Sequence, residues 1–249
     1  MKAVIIGGSG LIGTRVAEIL ASGGHEVIAA SRRNGIDAVT GEGLAEALAG
    51  ADVLVDVSNS PSFEDQAVME FFQKTTTNLA KTGKQAGIRH FVALSVVGTD
   101  RLPENGYFRA KLAQETIIRS SGIPYTILRA TQFIEFLDAI AYTATSGNEV
   151  RVSTAFLQPI AANDVSRFVA EAAQASPANG IIEIAGPERF PMDVVVKEYL
   201  ALKEDARTVI GDAEAEYFGA KLLPGSLVSD ENPKLGSTTL KKWLADQAG

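Results

Sequence analysis

Over the first half of the chain, short continuous apolar runs alternate with stretches of helical spacing. The runs "KAVIIG" (2–7), "HEVIAA" (25–30), "GIDAV" (35–39), "DVLVDV" (52–57), "HFVALSV" (90–96) and "PYTILRA" (124–130) are rich in Val and Ile and mostly bounded by Gly or polar residues. That pattern predicts buried strands. Between them lie "LIGTRVAEILASGG", "GLAEALAG", the long "FEDQAVMEFFQKTTTNLAKTGKQAG" and "YFRAKLAQETIIRSSG", each with helical periodicity and most closing on glycine. Regular strand-helix alternation predicts a Rossmann-like α/β fold, a doubly wound parallel sheet with helices on both faces. Beyond residue 130 the pattern loosens. Helices are predicted in "FIEFLDAIAYTA", "NDVSRFVAEAAQAS" and "TTLKKWLAD", and a strand in "GIIEIAG". Residues 1–249 are therefore read as one domain, with 1–130 as a dinucleotide-binding core and 131–249 as a small C-terminal substrate lobe.

Composition narrows the function classes. At 249 residues, 46% hydrophobic and 21% charged, the chain is globular. A net charge of −7 and a pI near 5.0 oppose a nucleic-acid partner, because phosphate binding needs a concentrated basic surface. No stretch approaches the roughly 20 uninterrupted apolar residues of a membrane span. The N-terminus enters an apolar strand with no cleavage-site pattern, so a cytoplasmic protein is expected. There is no cysteine, which removes disulfides, thiolate ligands and a cysteine nucleophile. The acidic residues show no ligand spacing, and no metal site is expected. Monomer and homodimer both remain open.

The first strand-helix junction carries chemistry. "VIIGGSGLIGTRVAEIL" places Gly7, Gly10 and Gly13 as G-x-x-G-x-x-G between a strand and a helix. Absent side chains let backbone amides approach a pyrophosphate at a helix N-terminus, so Gly7, Ser9, Gly10, Leu11, Ile12 and Gly13 are cofactor candidates. An NAD site usually carries an acid about 20 residues on, accepting from the ribose hydroxyls. Here the second strand ends "AASRR", placing Ser31, Arg32 and Arg33 there. Guanidinium and hydroxyl suit a 2′-phosphate, and the expected cofactor is NADP(H). Ligands in open sheets of this type bind outside the carboxyl ends of the strands. That rule nominates Val57, Ser58 and Asn59 for the cofactor, and Val97, Phe133 and Phe136 as substrate walls, with the phenylalanines equally compatible with core. His25 and His90 begin strands, at the wrong edge for chemistry. Asp164 reads as a helix-start acid. Finally, "GYFRAKLAQE" sets Tyr107 and Lys111 one helical turn apart, on one face.

With the glycine loop, "SRR" and "YFRAK" together, the chain resembles the short-chain dehydrogenase/reductase superfamily, nearest its atypical, NmrA-like branch. "HFVALSVVG", "GIPYTILRATQF", "PIAANDV" and "IIEIAGPERF" extend the resemblance over nearly the whole chain. The resemblance implies a catalytic centre of Ser95, Tyr107 and Lys111. Lys111 would lower the tyrosine pKa and hold the nicotinamide ribose, Tyr107 act as general acid/base, and Ser95 orient the substrate oxygen. It also implies contacts from Thr131 and Gln132 to the carboxamide or substrate. Asn78 is the available residue for the asparagine that often completes the centre. The expected function is NADP(H)-dependent hydride transfer to or from a small carbonyl or alcohol substrate. The alternatives are an NADP(H)-binding redox sensor without catalysis, and a sugar-nucleotide epimerase or dehydratase.

Overall fold

The computed structural model describes residues 1–229 and 232–247. Its chain divides into two compact units. The first comprises residues 1–95, 106–129 and 165–182, and the second residues 96–105, 130–164 and 183–249.

The first unit holds β1 (Lys2–Ile6), α1 (Leu11–Ser22), β2 (Glu26–Ala30), α2 (Leu44–Leu48), β3 (Val53–Asp56), α3 (Asp65–Ala86), β4 (His90–Val96), α4 (Gly106–Ser120) and β5 (Tyr125–Ala130). The second unit carries α5 (Leu137–Thr143), β6 (Thr145–Ser146), β7 (Glu149–Val152) and β8 (Phe156–Leu157). The chain continues through α6 (Ala162–Gln174) and β9 (Gly180–Ala185). It then forms β10 (Phe190–Pro191), α7 (Met192–Leu202), β11 (Thr208–Gly211), β12 (Lys234–Leu235) and α8 (Leu240–Gln247). The central parallel sheet has seven strands in the order β12-β9-β5-β4-β3-β1-β2, flanked by helices. The expected Rossmann-like fold is present.

Strand order reverses at β1, which pairs in parallel with β2 on one side and β3 on the other. This is the topological switch point where open α/β sheets leave a crevice. Register fixes what converges there. Ile6 stands opposite both Ala30 and Asp56, and Asp56 opposite Ala93. The chain therefore leaves β1, β2 and β3 at one common edge, carrying Gly7, Ser31 and Val57 just beyond it, while β4 runs on through Leu94 to Val96.

The helices bury the faces their spacing dictates. In α1 the buried residues are Ile12, Gly13, Val16 and Leu20, and in α3 they include Val68, Phe72, Leu79 and Gly83, each set lying on one helical stripe. Leu48, Leu54, Leu79, Phe91, Ile118 and Ile127 join one core cluster around the strands.

One expected strand is absent. In its place residues 38–41 form a turn, closed by an isolated antiparallel bridge between Asp37 and Glu42. The Asp37 carboxylate accepts from the Val39 amide at 2.8 Å and from the Thr40 amide at 3.4 Å. That local bonding competes with strand extension. Asn78, the residue available to complete the catalytic centre, is spent on the same turn: its Nδ2 donates to the Ala38 and Val39 carbonyls at 3.1 and 3.0 Å. Among the described residues, no helix is long and apolar enough to cross a membrane.

Candidate cofactor and active site

The glycine loop is a close-packed turn. A Cβ on Gly13 would lie 2.2 Å from the Gly7 carbonyl oxygen, so only glycine lets α1 start this near β1. Gly10 caps α1 without a side-chain hydrogen bond, and the first turn holds no acid. Amide donors and a positive helix end, with no acid in that turn, fit a pyrophosphate. Ser9, Gly10 and Leu11 are exposed, while Ile12 and Gly13 are buried.

After β2 the chain makes a 3₁₀ turn over Arg32–Asn34. Asn34 builds it: its Oδ1 accepts from the Ser31 amide at 2.8 Å, and its Nδ2 donates to the Ala29 carbonyl at 2.7 Å. Ser31 Oγ also donates to Asn34 Oδ1, at 3.3 Å. Arg32 and Arg33 project from this turn as exposed residues. Asn59 Oδ1 accepts from the Ser60 amide at 3.0 Å, shaping the loop after β3.

Helix α4 begins where α3 begins. A Cβ on Gly106 would collide with the Asp65 carboxylate, and Asp65 pairs with Arg109. This junction sets the first turn of α4, and with it Tyr107. The Tyr107 ring packs against Phe63 and Phe72, with centroids at 5.8 and 6.0 Å. The residue is half-buried overall, yet burial pushes its phenol up to about 12. The resemblance implies a phenol lowered by Lys111. The direction here is the reverse, because desolvation outweighs any charge effect.

Lys111, one turn on, is buried at 3% exposure. Its Nζ donates to the Leu94 carbonyl at 2.8 Å and to Gln114 Oε1, and sits 4.3 Å from the Phe72 ring centroid. Desolvation lowers its pKa to about 8, opposed by the nearby carboxylates of Asp56 and Glu115. Tyr107 and Lys111 thus share one aromatic neighbour. Ser95 is also buried, and its Oγ donates to Glu115 Oε1 at 2.7 Å. Glu115 in turn accepts from Arg129 Nε at 2.9 Å and Nη2 at 2.8 Å.

Asp56, Gln114, Glu115 and Arg129 belong to no motif in the sequence. The available signal was polar residues inside apolar strands, "VLVDV", "ALSV" and "TILRA", since a buried charge requires a partner.

The second unit holds the substrate candidates. Val97 is fully buried and its amide donates to the Ala130 carbonyl at 2.9 Å. Thr131 Oγ1 donates to the Gln158 carbonyl at 2.6 Å. Gln132 is buried with its Oε1 unpaired among the described residues, and Phe133 bridges to Ile160. Phe136 stacks on Phe218 with centroids 5.6 Å apart. Phe218 lines a cleft of about 220 Å³ with Ile140, Val152, Met192, Glu216 and Tyr217. Phe136 therefore contacts a residue lining that cleft. Of the remaining expectations, His90 Nε2 lies 2.9 Å from the Thr126 hydroxyl and burial lowers its pKa. Asp164 stands in the first turn of α6 and accepts from the Ser237 and Thr238 amides at 3.0 and 2.9 Å.

This loop, edge and helix define a dinucleotide-binding protein. The NAD(P)H-binding family model matches residues 7–176, and the chain belongs to that family. The photosystem II assembly factor Ycf39 of Synechocystis sp. is 24% identical over 191 residues, covering 70% of this chain and 59% of its own. The chain spans between 47% and 59% of the length of the curated relatives it matches. A new type of NADPH-dependent quinone oxidoreductase from Escherichia coli is 19% identical, with a TM-score of 0.71 and 100% of both chains covered. The Bordetella bronchiseptica enzyme WbmH, solved with NAD⁺, is 15% identical, with a TM-score of 0.73 over 98% of this chain and 96% of its own. At these identities the two solved structures share the fold.

Proposed function

We propose that the protein is an NADP(H)-dependent reductase of small carbonyl substrates, with Tyr107 as proton donor. The observation that carries this reading is the pairing of Tyr107 and Lys111 on consecutive turns of α4, both against Phe72. When bound, the nicotinamide supplies hydride. The protein's own contribution is a proton and a charge. A phenol held near 12 stays protonated at neutral pH, which suits donation to a nascent alkoxide better than abstraction from an alcohol. Lys111 provides the positive charge that stabilises the phenolate left behind. For Ser95 to polarise a substrate oxygen, its bond to Glu115 must be exchanged for one to the substrate.

Arg32 and Arg33 support NADP(H) over NAD(H), because a guanidinium pairs with a 2′-phosphate that a ribose hydroxyl cannot replace. Arg32→Ala is expected to weaken NADPH binding by about tenfold or more, the worth of one charge-assisted contact, while NADH changes little. Fluorescence titration of both nucleotides checks this; equal losses for the two would remove Arg32 as the selector.

A second reading has its own support. The raised phenol and the engagement of Ser95 by Glu115 suit a protein that binds NADP(H) without turnover, and one relative is an assembly factor. A screen of aldehydes, ketones and quinones for NADPH consumption separates the two. Quinones belong in the panel because a protein of the same fold is a quinone oxidoreductase. Turnover on any class supports the reductase. Tight NADPH binding with no turnover supports the regulator.

A further inference from the structure

A continuous chain of side chains joins the loop after β3 to the buried lysine. Asp56 ends β3 and is fully buried. Its Oδ1 accepts from both the amide and the hydroxyl of Ser58, at 3.0 and 2.6 Å. Its Oδ2 accepts from Gln114 Nε2 at 2.8 Å, and Gln114 Oε1 accepts from Lys111 Nζ. The amide of Gln114 can stand only one way round. An ammonium only donates and a carboxylate only accepts, so Oε1 must face Lys111 and Nε2 must face Asp56. At the other end, Ser58 lies against the glycine loop: a Cβ on Gly7 would fall 2.9 Å from the Ser58 amide nitrogen.

We infer that Asp56 and Gln114 are positioning residues that bind Ser58 and Lys111 into one unit, so that engagement of the dinucleotide and protonation of Lys111 are thermodynamically linked. The inference rests on the reading that Ser58 and Lys111 flank the cofactor. The charged and titratable groups around Lys111 are few. Asp56 reaches it from β3 through Gln114, and Glu115 comes from α4 itself with Arg129 of β5 bound to it. Tyr107 shares the Phe72 ring. The Coulombic influence of Asp56 and Glu115 favours the ammonium, and burial opposes it. The balance lowers the Lys111 pKa to about 8.

The sign of the linkage follows. An anionic dinucleotide favours charged Lys111, so binding takes up a proton, and affinity falls as pH rises through about 8. Gln114→Leu removes an acceptor from the ammonium and moves the break to lower pH by roughly one unit. Gln114→Glu sets a second carboxyl against the Asp56 carboxylate, where the two share a proton at low pH; the charge released when that proton leaves moves the break to higher pH.

Two measurements test this on the full chain. Calorimetric titration with NADPH across the pH range, in buffers of different ionisation enthalpy, gives affinity and proton uptake for wild type, both Gln114 variants, and Lys111→Met. Independently, NMR of the labelled Lys111 side chain gives its titration without any cofactor. The expected result is opposite displacement of the break in the two Gln114 variants, matched by opposite displacement of the Lys111 titration, with no break in Lys111→Met. Folded Gln114 variants with the wild-type Lys111 titration would overturn the network itself. Displaced Lys111 titrations with a pH-independent NADPH affinity would overturn the linkage and the placement of Lys111 beside the cofactor. Failure of the wild type to bind NADPH at any pH would defeat the functional reading instead, leaving the NMR result to judge the network alone. If one Gln114 variant fails to fold, the other decides.

Discussion

Replacing Glu115 by leucine is expected to lower stability by about 3–5 kcal/mol, the cost of leaving a buried charge uncompensated. Glu115 is 1% exposed and Arg129 6% exposed. The carboxylate receives Arg129 Nε and Nη2 at 2.9 and 2.8 Å, a two-point grip, together with the Ser95 hydroxyl. A second cation, Arg119, reaches the same carboxylate at 3.2 Å from a much more exposed position, and its share is small. The loss therefore comes mainly from Arg129, whose guanidinium would remain inside the fold without its anion. Urea unfolding checks this as a lower midpoint for Glu115→Leu. The double variant Glu115→Leu/Arg129→Met should recover most of the loss, because a well-packed apolar pair can replace a buried ion pair at little cost. Equal destabilisation in the single and double variants would show that packing, not charge, accounts for the site. Glu115→Gln keeps an acceptor for Ser95 and reports on whether that hydroxyl needs a full negative charge to hold it.

The same cluster shows how far the sequence could be read. Continuous apolar runs mark buried parallel strands because both faces are covered, and five of the six runs in the first half are strands. The glycine loop was legible for a related reason: G-x-x-G-x-x-G has meaning only between a strand and a helix, and both neighbours were visible. "GIDAV" misled because Ile36, Ala38 and Val39 look like a strand, while the bonds of the Asp37 side chain to its own backbone were not apparent. In the second unit, β6, β8, β10 and β12 are two residues long, too short to show any period. Helix α7 opens on "MDVVV", a β-branched run whose strand-like propensity is overridden by packing.

The candidate site was legible as residue types but not as partnerships. Asp56, Ser95 and Arg129 interrupt apolar strands and so announce that something must satisfy them. Which residue does so depends on how α4 lies against β3, β4 and β5, and no spacing along the chain encodes that. Gln114 and Glu115 are adjacent in sequence yet serve two separate networks, one ending at Lys111 and the other at Ser95 and Arg129. The reversed direction of the Tyr107 shift has the same origin. The i, i+4 spacing put Tyr107 and Lys111 on one face, and the structure buries that face among Phe63, Phe72 and Phe108.

Tyr107→Phe is expected to reduce turnover by about 10²–10⁴-fold, the usual worth of a positioned proton donor, with NADPH affinity and stability close to wild type. The phenylalanine ring fits the same packing, because Phe63, Phe72 and Phe108 touch the ring with centroids 5.8, 6.0 and 6.1 Å away. The loss would thus report the hydroxyl alone. Wild-type activity supplies a second readout through pH. The phenol stays protonated up to about 12, so its own titration leaves the neutral range flat. A fall in kcat/KM for NADPH as pH rises through about 8 would then come from Lys111 losing its proton in the free protein. Steady-state kinetics of both proteins on any substrate that consumes NADPH make the comparison. An unchanged rate in Tyr107→Phe would transfer the proton donation to another group or to water. A large loss with the pH break retained at reduced rate would assign the donor to Tyr107 and the break to Lys111, two roles that one helical turn places against a single phenylalanine.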